Sequence, residues 1–216
     1  MEYGFLRETE ELAKKAGVDA RFNLCRTGLD TYLKIIFPNT NDWIHDKVLG
    51  KINNTIYRIR PDYRSESLKL IVEFDSLLHY NNPDTIIKDF KNNKTYQSLG
   101  YKVIRIPYFV QLTNTNVKQL FGIDVKEVLF SDNIPSLYSN WTPSYLCMLG
   151  IMRMAAEFKQ YNREYFDLNI NYMKENEPYT SGWQILERFF NNKNINMQLF
   201  YSSNFINNKE DIYKYI

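Results

Sequence analysis

Period-two alternation of apolar and polar residues is clearest in LKLIVEF, Leu68 to Phe74, which reads as a half-buried strand. It sends Glu73 and Asp75 to one face, with Lys69 and Ile71 beside them. Upstream, TIYRIRPDYR, Thr55 to Arg64, reads as its hairpin partner, and the polar segment Ser65 to Ser67 supplies the turn. Pro61 has no backbone donor and marks a strand end, bulge or edge. Downstream, Asn82, Pro83 and Asp84 carry helix-start chemistry; the helix runs to Leu99 and Gly100 stops it. YKVIRIP then returns as a strand, Val103 and Arg105 facing one way and Ile104 and Ile106 the other. The pattern predicts adjoining strands near residues 55–63, 67–75 and 102–107. The 83–99 helix packs over them through Ile86, Ile87, Phe90, Tyr96 and Leu99.

The flanks read as mainly helical. Phe5 to Gly17 forms an amphipathic helix, and Leu29 to Ile36 a second, short one ended by Pro38. Toward the other end, Thr142 and Pro143 start a helix that Gly150 breaks, with Met148, Met152 and Met154 at core spacing. Ser181 with Gln184 reads as a capping box ahead of WQILERFF. Trp141, Trp183, Phe189, Phe190 and Tyr201 are read as buried or dimer-contact residues ahead of base-stacking ones. This gives an N-terminal helical segment over 1–40, a core over 41–130 and a mainly helical extension over 131–216.

Between Arg60 and Phe90 the chain gathers Asp62, Glu73, Asp75, His79 and Asp89. Ionised carboxylates that leave water must be paired, hydrogen-bonded or metal-bound. Two acids on one packed strand face therefore point to a divalent-metal site, the plain alternative being an exposed acidic strand end. Asp89 lies beside the sheet-facing stripe of its helix and needs a partner.

The ordered set Asp62, Glu73-x-Asp75-x-x-x-His79, Asp89, followed by Leu99, Gly100, Tyr101, Val103 and Arg105, resembles the very short patch repair endonuclease group of the PD-(D/E)xK nuclease superfamily. It is similar also to phage homing endonucleases with an E-D-x-H-D site. The resemblance runs over roughly Ile44 to Phe109 and departs from the pattern twice. Ser76 stands where related sequences place Gly, and Asp75 stands at the lysine of Glu-x-Lys. The resemblance implies an α/β fold, a restriction-endonuclease-like core with a mixed central sheet flanked by helices, and helical additions at both ends. It implies a metal-dependent DNA endonuclease of restriction, homing or repair type in which His79 replaces the missing lysine.

On that reading Asp62, Glu73 and Asp75 hold Mg²⁺, for which Mn²⁺ can substitute, and His79 orients or deprotonates the nucleophile. Asp89 orients His79 or a cation. Asp46 is a candidate accessory ligand. Arg58, Arg60, Arg64, Lys91, Lys94 and Arg105 are the candidate contacts to DNA. The alternatives are a catalytically weak or inactive nucleic-acid-binding relative, or a structural subunit of a DNA-processing complex.

Composition changes little in this picture. The chain has 216 residues, and a formal charge of +2 is too small to announce nucleic-acid binding, so phosphate contacts must come from local clustering. Two cysteines outside any C-x-x-C pair suit a reducing compartment and exclude a cysteine-rich zinc module. No signal peptide or membrane span is read in the sequence. The expected setting is the cytoplasm of a bacterial or phage-infected cell, with DNA as partner, a homodimer allowed, and no membrane.

Overall fold

The computed structural model describes residues 29–127, 129–137, 142–177, 179–202 and 205, so the helix expected over Phe5 to Gly17 and Trp141 lie outside the described residues. The chain forms a mixed α/β fold. In order its elements are α1 (Leu29–Ile36), β1 (Trp43–His45), β2 (Gly50–Ile52), β3 (Thr55–Tyr57), β4 (Tyr63–Ser65), β5 (Leu70–Asp75), α2 (Pro83–Ser98), β6 (Lys102–Pro107), α3 (Asn114–Phe121), α4 (Met148–Phe158), α5 (Arg163–Asn176), α6 (Trp183–Asn191) and α7 (Met197–Tyr201).

The central sheet has the order β1-β4-β5-β6. Its first two pairings are antiparallel, while β5 and β6 run parallel, Glu73 lying opposite Arg105 and Ile71 opposite Val103. A parallel pair needs a crossover, and α2 makes it. Its sequence signals act as read. Asn82 accepts from Asp84 N at 2.8 Å, Pro83 takes the first turn, and Gly100 adopts φ 85° after the last.

The strand alternation divides the sheet into two faces. Leu70, Val72, Ile104 and Ile106 meet α1 and α3 residues such as Leu33, Ile36, Val117 and Phe121 on one side. Ile71 and Val103 turn to the other, against Tyr96, Leu99 and Tyr101. The other face of α2, with Ile86, Ile87 and Phe90, joins Tyr80, Tyr108, Phe109 and the helices α4 to α7 in the largest core cluster. One apolar core thus runs across residue 130.

Four local expectations are corrected. Thr55 to Arg64 is not one strand: Tyr63–Ser65 pairs with β5, whereas Thr55–Tyr57 pairs with Gly50–Ile52 in a separate two-stranded sheet. The turn before β5 is Glu66 to Lys69, because Ser65 still pairs with Leu70. Gly150 does not break its helix but lies inside α4, where a Cβ would collide with Tyr80 O. Ser181 does not cap α6; Gly182, at φ 75°, holds the N-cap position.

Aromatic burial decides the tail. Phe189 is buried in the core, Phe190 stacks on Phe166 with ring centroids 3.5 Å apart, and Tyr201 OH accepts from Asn93 Nδ2 at 3.0 Å. Trp183 packs partly buried against the same core. Among the described residues no helix is long and apolar enough to cross a membrane.

Candidate active site

The five residues singled out from sequence converge at the end of β5. Asp62, just before β4, and Glu73, on β5, are tied reciprocally: Asp62 N donates to Glu73 Oε2 at 3.1 Å, and Phe74 N donates to Asp62 Oδ2 at 2.7 Å. The antiparallel register brings this about by pairing Tyr63 with Val72. Tyr96, one turn from the end of α2, donates to Glu73 Oε1 at 2.9 Å. Neither carboxylate has an ion-pair partner among the described residues.

Asp75 faces the same way but has different company. Arg105 on β6 grips it with both arms of the guanidinium, Nε at 2.6 Å and Nη2 at 2.5 Å, and Arg153 Nη2 from α4 closes on its other side. Arg153 also donates to Asp89 Oδ2 at 2.8 Å, His79 O at 3.1 Å and Glu157 Oε1 at 2.8 Å. Tyr80 OH completes Glu157 at 2.6 Å. Arg105 Nη1 reaches Asn93 Oδ1 at 2.9 Å. Two buried guanidiniums thus neutralise this half of the site, and forked hydrogen bonding is the arrangement that makes buried charge tolerable.

His79 ends a short 3-10 turn, Leu77–His79, and its Nδ1 lies 2.9 Å from Asp89 Oδ2 and 3.4 Å from Asp75 Oδ1. Nε2 makes no hydrogen bond among the described residues, and the ring borders the cleft. Asp89, expected to need a partner, therefore has three: His79, Arg153 and, at 3.4 Å, Arg105. Ser76, the departure from Gly, sits at φ −68°, a backbone conformation open to any residue, so the substitution introduces no strain.

Charge separates the two halves. Burial pushes the Glu73 carboxyl up to about 7, against the pull of Arg105. Burial also raises Asp62, opposed by the Phe74 N–H and reinforced by the charge of Asp75. Burial would raise Asp75 as well, but Arg105 and Arg153 overcome it and hold that group well below the usual range. For His79, burial opposes the charged ring, yet the bond to Asp89 and the charges of Asp75 and Asp89 prevail and raise its pKa. A ring so placed is disposed to give a proton toward the cleft, whereas the base role expected from sequence needs it neutral.

Asp75, His79 and Asp89 each bring a ligand atom within 4.8 Å of the others, a buried group that could hold a metal ion. Arg105 and Arg153 already supply cationic charge to its two carboxylates. Asp62 and Glu73 have no cation in ion-pair contact, and for them burial prevails over the more distant charge of Arg105.

A cleft of about 820 Å³ opens onto Glu73, His79 and Asp89, with Asp62 and Asp75 set behind its lining. Its floor includes Glu73, His79 and Arg105; one wall is α2, and the other is the segment from Thr55 to Arg60. Arg58 and Arg60 border it as expected, but Lys88 is the α2 lysine that does so, while Lys91 and Lys94 lie exposed elsewhere on the helix. Arg64 turns away toward Val48 O and Glu66. Arg105 is committed to Asp75 and Asn93 and is not free to grip a phosphate. Asp46 pairs with Arg60 at 2.9 Å in place of joining the carboxylates.

Arg153, Glu157, Tyr96 and Asn93 were not anticipated as site residues. One signal existed for the first two: Arg153 and Glu157, four residues apart, interrupt an otherwise apolar helical run. Charges inside such a stripe must be paired. No family model, no curated protein and no solved structure matches this chain.

Proposed function

We propose that this chain is a metal-dependent DNA endonuclease that hydrolyses phosphodiester bonds. The observation that carries the reading is the division of the carboxylates beside one cleft into two groups. Asp75 and Asp89 are neutralised by Arg105 and Arg153 in direct contact, while Asp62 and Glu73 are two adjoining, largely buried carboxylates with no cation in ion-pair contact, the charge of Arg105 reaching them only through space. Such a pair is short of positive charge and offers only oxygen, the donor set that Mg²⁺ prefers and Mn²⁺ accepts. When bound there, the ion would polarise a phosphate oxygen and lower the pKa of a bound water.

The chain's own residues supply the rest. Tyr96 and the Asp62 N–H hold Glu73 in place through one bond to each of its oxygens. Asp89 fixes His79 through Nδ1 and leaves Nε2 toward the cleft, where it can move a proton to or from an oxygen of the reacting phosphodiester. Arg153 bridges Asp75 and Asp89 and offsets the repulsion between the two acids that face His79 Nδ1. Arg58 and Lys88 on the cleft walls give the phosphates of the bound strand their cationic contacts.

Supercoiled plasmid incubated with Mg²⁺ or Mn²⁺ is the test. Wild-type protein should nick or linearise it, Glu73→Gln should abolish cutting while remaining folded, and His79→Ala should slow it by roughly 10² to 10⁴-fold. Cleavage by purified, folded Glu73→Gln at the wild-type rate would sink this assignment of the site. DNA binding with no cleavage under any metal would instead favour a non-catalytic relative.

A further inference from the structure

The two-stranded sheet that sequence reading merged into the core strand has a shape and a chemistry of its own. β2 and β3 are joined by Asn53 and Asn54, at φ 47° and 65°, the paired positive values of the tight turn that follows the natural strand twist. The inner face, with Ile52 and Tyr57 and continuing to Ile59, packs on Leu49, Ile71 and Tyr96. The arm is therefore anchored beside Glu73's own support. The outer face carries Lys51 opposite Ile56, with Arg58 two residues on. Ile56 is 71% exposed, and Lys51 and Arg58 are exposed with no acidic partner among the described residues.

A single exposed aliphatic side chain means little by itself. This one borders the cleft that contains Glu73 and His79, and it stands between two unpaired cations. A two-stranded ribbon is also the one sheet element that fits the major groove of duplex DNA, about 12 Å wide.

Resting on the nuclease reading above, we infer that the β2–β3 arm enters the major groove beside the scissile phosphate. Lys51 and Arg58 contact phosphates on either side, and Ile56 lies against the C5-methyl group of a thymine. The arm would then select the sequence that the carboxylate site cuts. Phosphate contacts give affinity without sequence information, whereas an apolar side chain against a base edge discriminates.

The test uses the full chain in metal-free buffer, so that binding is read independently of hydrolysis. Duplexes retained from a random-sequence pool should share a thymine at a fixed position. Replacing that thymine by deoxyuridine, which lacks the methyl, should weaken wild-type binding roughly fourfold, the worth of about one buried methyl group. Ile56→Ala should bind thymine and deoxyuridine duplexes equally. Lys51→Ala and Arg58→Ala should each weaken binding to every duplex and reduce the salt dependence by about one phosphate contact. An Ile56→Ala protein that keeps the thymine preference, or cation variants with unchanged salt dependence, overturns the arm's role and leaves the nuclease reading standing. Preference for single strands or for RNA over duplex DNA also overturns it. A wild-type protein that binds no nucleic acid overturns both.

Discussion

Arg153 meets Asp75, Asp89, Glu157 and the carbonyl of His79 from inside α4, and no solvent reaches any of its contacts with Asp75. Removing one partner of a buried charge cluster leaves the others uncompensated, which costs about 3–5 kcal/mol. Arg153→Met should therefore lower stability by that amount in urea denaturation. Arg153→Lys should recover only part of it, since one ammonium cannot reproduce a planar fork directed at three carboxylates. Asp42 gives a second prediction at this scale. Its oxygens accept from Ser67 N at 2.7 Å, Ser65 Oγ at 2.7 Å and Ser67 Oγ at 2.9 Å, clasping the segment before β1 to the turn before β5. The Ser67 N–H and the Ser65 hydroxyl hold its carboxyl down, from the ordinary 3.8 to about 2. A lowered folded-state pKa adds stability that is complete above 3.8 and is lost as pH falls through 2. Asp42→Ala should melt below wild type at neutral pH, and thermal melts at successively lower pH should show the gap closing toward pH 2.

At the scale of elements, the contact between α4 and the turn after β5 decides whether the site forms. Cys147 N and Sγ both donate to Tyr80 O, at 3.3 and 3.2 Å, and Gly150 lets the helix backbone approach that same carbonyl. Gly150→Ala would force the helix away, at a cost of roughly 1–3 kcal/mol for an overpacked contact. Because α4 carries Arg153, the displacement should also lower cleavage of DNA, and a parallel measurement of melting temperature and nicking rate would show both losses together. Nicking at the wild-type rate by a Gly150→Ala protein of lowered melting temperature would argue against this coupling. The other end of the helical layer is fastened differently: Lys159 Nζ donates to Asn192 O at 2.7 Å and Ile195 O at 2.5 Å, holding the chain as it leaves α6.

For the whole molecule, the expected division between core and extension has a physical consequence. Tyr80, Ile86, Phe90 and Phe109 lie in the same cluster as Met152, Phe158, Phe166 and Leu186. A chain ended after residue 130 would expose the first group to water and leave Asp75 and Asp89 without Arg153. It should lose its near-ultraviolet circular dichroism and bind a hydrophobic dye while keeping much of its secondary structure. A truncated chain with native aromatic signals and cooperative unfolding would show that the extension is dispensable to the core.

Short-range regularities were legible in the sequence alone. The alternation through β5 and β6 and the Asn82-Pro83 start and Gly100 stop of α2 depend on neighbours within a few positions, and the five candidate residues fall within one strand-turn-helix stretch. The short reach of backbone geometry makes such signals readable. The site's charge balance was not readable. Asp75 draws one guanidinium from 30 residues away and another from 78, so which carboxylates are neutralised follows from packing between distant elements. The same holds for Gly150, whose role depends on Tyr80, and for the β2–β3 arm, whose separation from the main sheet follows from the pairing of β4 with β5. Local periodicity determined which residues share a face; only the tertiary structure decided which faces meet, because burial and ion pairing are properties of the assembled pair and of neither residue alone.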